Sequence, residues 1–119
     1  MFDDTANTRV ISLSDATVSN QIILGYDVSS NRIIASLFNG GSEDVKLSYV
    51  VTDITELHKI AFKWAETDFA LWIDGTEVAT NTSSSVDGAD TYTELQLADG
   101  AGANDFIGRL RELKVFPAP

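Results

Sequence analysis

His58 is the one histidine of the chain, and cysteine is absent. A lone imidazole can activate a serine nucleophile when that serine stands on a sharp elbow such as Gly-x-Ser-x-Gly. No such elbow occurs, so His58 is expected to be a hydrogen-bonding group at the start of a strand. The absence of cysteine removes disulfides and thiolate metal sites. Hard-cation chemistry has more to work with. Asp87-Gly88-Ala89-Asp90 and the stretch Asp99–Asp105 offer carboxylate and carbonyl oxygens of the kind calcium takes. Neither follows EF-hand spacing, and acidic, glycine-rich loops also arise as plain solvated turns. Calcium therefore stays an option, and no cofactor is assigned.

Aromatic side chains are the other chemical lead. A pyranose presents an apolar C–H face that stacks on an aromatic plane, while Asp, Asn, Arg or Glu side chains fix its hydroxyls. In Phe69-Ala70-Leu71-Trp72-Ile73, alternation puts Phe69, Leu71 and Ile73 on a core face and turns Trp72 outward. An outward indole is a candidate platform for a sugar. The plainer alternative is a half-covered ring packed on the next strand or on a neighbouring subunit. On the closing stretch, Ile107, Arg109 and Arg111 share an outward face if Phe106, Gly108 and Leu110 point inward. Arg109 and Arg111 would then reach acidic sugars or pair with the acidic surface. Tyr26 and Tyr92, near loop ends, complete the candidate set, and Trp64 is assigned to the core.

The elements that must hold these residues read as strands. Period-2 alternation, the mark of a strand with one buried face, runs through Val10–Ser14, Gln21–Asp27, Arg32–Asn39, Val45–Val51, Phe69–Ile73, Glu77–Thr80 and Glu94–Leu97. Asn39-Gly40-Gly41-Ser42 and Asp74-Gly75 supply hairpin turns, because glycine takes positive φ without steric cost. Thr82–Asp90 and Ala98–Asp105 read as polar loops. Phe106–Phe116 is expected to close the chain as one long, bulged strand. Residues 53–66 are ambiguous. Ile54, Leu57, Ala61 and Trp64 make a helical stripe behind an Asp53/Glu56 capping box, whereas Ile60, Phe62 and Trp64 make a strand face. The reading adopted is a helical turn near 53–57 followed by a strand from His58. About nine strands with turns every ten residues or so indicate an all-β fold, a sandwich or barrel.

At 119 residues the chain is expected to form a single domain around one core. Its formal net charge of -10 repels phosphate backbones and anionic lipid, so neither nucleic acid nor membrane is expected as a partner. No apolar run approaches the roughly 18 residues that would span a bilayer. The start, Met1-Phe2-Asp3-Asp4, lacks the basic and apolar regions of a signal peptide.

The segment His58–Gly75 (HKIAFKWAETDFALWIDG) resembles the laminin-G-like branch of the concanavalin A-like lectin/glucanase superfamily. There a strand opening on His-Lys or Trp-His is followed by one ending Leu-Tyr-Val-Asp/Asn-Gly, and Leu71-Trp72-Ile73-Asp74-Gly75 is similar to that ending. Phe106-Ile107-Gly108-Arg109-Leu110 with Leu113-Lys114-Val115-Phe116 resembles the family's last strand. Thr8–Asp15 and Asn20–Tyr26 look like variants from bacteriophage tail proteins and bacterial surface or glycan-processing enzymes. The resemblance covers nearly the whole chain and implies a two-sheet antiparallel jelly-roll sandwich. Glycanases of that superfamily carry Glu-x-Asp-x-x-Glu on one strand, with two carboxyls flanking a sugar bond. Here Glu66-Thr67-Asp68 lacks the third carboxylate and falls in a turn, so the resemblance implies a non-catalytic module whose partner is a glycan, in an extracellular or virion setting. The rival implication is a structural, oligomerisation or protein-recognition module of a phage tail fibre or multidomain surface protein. Family domains usually run longer, with further strands before the point where this chain begins. Either this version is N-terminally reduced, or a homo-oligomer or a neighbouring domain completes the sheet as a second kind of partner.

Overall fold

The structure is a computed structural model, and it describes residues 8–27, 30–82, 92–106 and 110–115. Eight strands follow in chain order: β1 (Thr8–Ser14), β2 (Gln21–Asp27), β3 (Arg32–Asn39), β4 (Ser42–Val50), β5 (Ile60–Ala65), β6 (Asp68–Ile73), β7 (Thr76–Asn81) and β8 (Glu94–Gln96). They form two antiparallel sheets, ordered β4-β3-β2-β1-β8 and β5-β6-β7. No α-helix occurs among the described residues. The molecule is all-β, as the alternation indicates, and a jelly-roll sandwich, as the resemblance implies.

Registers follow the hydrophobic pattern. Pairing of Ile22 with Leu37, Leu24 with Ala35 and Tyr26 with Ile33 sets these six residues on the core face, with Ile23, Ile34 and Phe38 on the other, and a slip of one residue would exchange the two sets. Val45 and Leu47 of β4 continue that face. Phe69, Leu71 and Ile73 of β6 oppose it, with Ile60, Phe62 and Trp64 of β5 packed partly buried alongside. Val51 and Ile54, in the connection from β4 to β5, close one end of the core. Burying each such aliphatic side chain is worth roughly 1.5–3 kcal/mol. Two tight turns fix hairpin geometry. Gly40 and Gly41 have φ of 58 and 85, and Asp74 and Gly75 have 52 and 86. Positive φ at both central positions is the turn form whose twist matches the strands it joins.

The ambiguous segment resolves as a single turn and then a strand. Glu56 N donates to Asp53 O (3.3 Å), and Thr55 N and Oγ1 donate to Asp53 Oδ1 (2.9 and 2.6 Å). The helical stripe is not used: Leu57 is 46% exposed, and β5 begins at Ile60.

Of the expected closing strand 106–116, residues 107–109 and 116 lie outside the described residues, and the described remainder forms no strand. Residues 110–115 carry no strand pairing, and Leu110, Leu113 and Val115 are exposed. The free edge of β1 is taken by other partners. β8 pairs with Ser12–Ser14, and Asp105 meets Val10 in an isolated parallel bridge.

Candidate functional site

Among the described residues two surfaces present side chains able to bind a ligand, and both involve the β6–β7 hairpin. On its outer face Trp72 points away from the core, as alternation requires, and is 40% exposed. Its ladder neighbours are Ala61 on β5 and Glu77 on β7. Two positions along the strand, Ala70 lies between Lys63 and Thr80. Small residues at 61 and 70 leave the indole without a large side chain beside it on the β5 side, and the Lys63–Asp68 ion pair stands at the margin. The result is a half-exposed aromatic on the outer sheet face, next to a buried Ala70.

On the inner side, Val45 and Leu47 of β4 lie in the core with Leu71 and Ile73 of β6. Tyr49, next after Val45 and Leu47 on that face, is left 46% exposed. It lines an open groove of about 370 Å³ together with Thr52, Asp53, Glu56, His58 and Asp74, above an apolar floor that includes Ile73 and Val78. The sequence reading saw Tyr49 only as one beat of an alternating strand. Its place at the strand end, just before the Thr52-Asp53 turn, was the available signal.

His58 ties the groove walls together. Its Nδ1 lies 2.8 Å from Asp74 Oδ2 and its Nε2 lies 2.8 Å from Asp53 O. Asp74 Oδ1 also accepts from Lys59 N (2.9 Å). Both imidazole partners are acceptors, and only the doubly protonated ring can donate to both. Burial pulls the His58 pKa down, but the Asp74 bond, the Asp53 carbonyl and the charges of Asp74 and Glu56 together hold it above the ordinary 6.5. Asp74 is held below the ordinary 3.8, chiefly by the bond from His58 and then by Lys59 N. Asp53 is lowered by its Thr55 bonds.

His58 has a raised folded pKa, so its contribution is complete below 6.5 and is lost as pH rises through the folded value. Asp74 has a lowered one, so its contribution is complete above 3.8 and is lost as pH falls through the folded value. Urea midpoints of the wild-type chain are therefore expected to fall between about pH 5 and about pH 8.5 by more than those of His58→Gln. Equal falls in the two proteins would show that the clasp does not titrate as described.

The remaining candidates fall elsewhere. Tyr26 is fully buried, and its ring meets Phe106 edge-on at 6.0 Å. This corrects its reading as a loop-end sugar contact. It shares the core face with Ile22 and Leu24, a period-2 signal already present in the sequence. Tyr92 is half-buried against the core, and burial with the Asp15 charge pushes its pKa up to about 12. Arg111 is exposed, and no hydrogen bond or ion pair joins it to Trp72 among the described residues. Arg109 and the Asp87–Asp90 loop lie outside the described residues. Trp64 packs partly buried on the core beside Phe62, as expected. Asp99 is buried and serves its own loop, accepting from Ala101 N and Ala103 N through Oδ1 and from Asn104 Nδ2 through Oδ2. Among the described residues no three His, Cys, Asp or Glu side chains form a metal-holding group.

Comparison with known proteins places this fold. Residues 2–119 match a laminin-G-type family model described as "Concanavalin A-like lectin/glucanases superfamily". The chain belongs to that superfamily. A solved structure of carbohydrate binding module CBM66 from Bacillus subtilis is similar at 15% identity and a TM-score of 0.52, over 71% of this chain and 54% of that one. An S-layer domain-containing protein from Clostridium thermocellum is 14% identical, with a TM-score of 0.41, over 98% of this chain and 60% of that one. This superfamily member thus spans little more than half the length of either. No curated protein matches it.

Proposed function

We propose that the chain is a non-catalytic carbohydrate-binding module in which the indole of Trp72 stacks on a sugar ring. The observation that carries this reading is the outward Trp72, 40% exposed between Ala61 and Glu77 on a sheet face. A hydrophobic amino acid of that size ordinarily turns inward. Left outward beside small residues, it offers a flat apolar plane to the C–H face of a pyranose, with Glu77 and Lys63 at hand for hydroxyls. Membership of a lectin and glucanase superfamily fits a glycan partner, and an extracellular or virion setting goes with it.

The chemistry of the carboxylates supports a role without catalysis. A glycosidase keeps one carboxyl protonated as general acid opposite a second carboxylate. Glu66-Thr67-Asp68 sits at the β5–β6 turn, with Asp68 paired to Lys63. In the groove, Asp53 and Asp74 are both held below the ordinary carboxylate range, the opposite of what a general acid needs.

Affinity electrophoresis through gels of soluble polysaccharides tests the proposal. Trp72→Ala is expected to weaken retention by about tenfold or more, equivalent to about 1.4 kcal/mol, with the far-ultraviolet spectrum unchanged. Equal retention of both folded proteins would remove Trp72 as the platform.

A second reading, a structural or assembly module, is favoured by one observation. Leu95, Leu97, Leu110, Leu113 and Val115 are all exposed, more apolar surface than a glycan ledge at Trp72 calls for. It predicts a defined oligomer in light scattering and no retention by any glycan.

A further inference from the structure

The groove between the end of β4 and the 74–75 turn is not used by the Trp72 ledge, since the two open on opposite faces of the β6–β7 hairpin. Its lining is chemically mixed. Tyr49 supplies an exposed ring, Val51, Ile73 and Val78 supply apolar surface, and Thr52 and Thr76 supply hydroxyls, with Glu56 at the rim. The side-chain oxygens of Tyr49, Thr52, Glu56 and Thr76 make no hydrogen bond to the described residues, whereas those of Asp53 and Asp74 are engaged by Thr55, His58 and Lys59. Thus the groups that shape the groove are internally bonded, and those that face into it are left to a ligand or to water. An aromatic plane, an apolar floor and converging donors and acceptors are the components of a site for a hydroxyl-rich ring.

Charge then narrows the class. Asp53, Glu56 and Asp74 carry three negative charges around the groove against one on His58 when it is protonated. An anionic sugar would meet repulsion, whereas neutral hydroxyls donate readily to carboxylates. The walls are also preset. His58 joins the 53–56 turn to the hairpin turn, and Asn31 accepts Val51 N at its carbonyl (2.8 Å) and Ile54 N at Oδ1 (3.2 Å). A preset groove loses little freedom when occupied.

We infer that the Tyr49 groove is a second saccharide site, selective for neutral over anionic sugar units, with Tyr49 as the stacking surface and Glu56 as the hydroxyl acceptor. This rests on the carbohydrate-binding reading and assigns that reading a separate site and ligand class.

The test compares the full chain with Tyr49→Ala, Tyr49→Phe, Glu56→Gln and Trp72→Ala on an array of neutral and uronic-acid oligosaccharides. Tyr49 and Glu56 are exposed, so their variants are expected to fold, and circular dichroism checks this. The inference expects neutral glycans whose binding weakens about tenfold in Tyr49→Ala, weakens in Glu56→Gln and persists in Tyr49→Phe and in Trp72→Ala. If every bound glycan is lost in Trp72→Ala and kept in the groove variants, the Trp72 proposal stands and this inference falls. If only uronic-acid glycans bind, the inference falls on its charge argument. If nothing binds, both readings fall together.

Discussion

Truncation of Phe69 to alanine is expected to lower the unfolding free energy by about 3–5 kcal/mol. Phe69 is 1% exposed in the core cluster, on β6, the middle strand of the three-stranded sheet. Removing the ring forfeits its transfer from water and leaves a cavity that the flanking strands cannot close, because both are held to β6 by ladder hydrogen bonds. Domains of this size are stable by only about 5–15 kcal/mol, so the variant is expected to stand near the edge of folding. Trp72→Ala, three residues along the same strand, removes a larger side chain from the opposite face and is expected to cost much less. Urea unfolding of the two variants side by side checks the assignment of faces. A larger cost for Trp72→Ala than for Phe69→Ala would mean that the inward and outward faces are reversed.

Gly100→Ala is expected to destabilise the chain by about 2–3 kcal/mol, through overpacking and not through loss of contacts. A Cβ at position 100 would stand 1.9 Å from Thr17 O, 2.7 Å from Thr17 C and 2.9 Å from Ser14 Cβ. Two of those atoms are backbone, so no rotamer change relieves the clash. The loop cannot simply lift away. Gly100 N donates to the buried Gln21 side chain (2.9 Å), Ser12 Oγ donates to Ala98 O (2.6 Å), and Phe106 N closes the loop onto Leu97 O (2.8 Å). Displacing it would leave Ser12 Oγ and Gln21 Oε1 buried without their partners, itself a cost of about 1–3 kcal/mol per group. Thermal unfolding should show a midpoint lowered by roughly 4 °C for each kcal/mol. Hydrogen exchange should speed first at the amides of Ala101 and Ala103, which Asp99 holds. A midpoint within a degree or so of wild type would show that the loop does not seat on Thr17 as described.

This loop marks where reading by composition stops. Ala98–Asp105 has the makeup of a solvated turn or a calcium loop, yet Asp99 is buried and its carboxylate organises the loop's own amides. Its shape depends on Ser12 and Gln21, far away along the chain, and no local pattern announces such partners. The same holds for the closing segment. It was expected as a strand, yet its described residues 110–115 carry no strand pairing.

The outward Trp72 on an alternating strand was legible from the chain alone, because side chains in a strand must alternate between faces and the residues beside Trp72 are strongly apolar. The Asp74-Gly75 turn and the bonding role of His58 were legible for similar local reasons, as was the all-β class, whose periodicity extends through most of the chain; the sandwich over the barrel came from the family resemblance. Burial of Tyr26 could have been read the same way, from Ile22 and Leu24 on its face. The Tyr49 groove could not. It brings the end of β4 and the 52–58 connection together with Ile73, Asp74, Thr76 and Val78 of the other sheet, and such a meeting of distant segments is set only when the sheets pack. Local alternation decides which way a side chain points. Only the tertiary structure decides whether anything covers it.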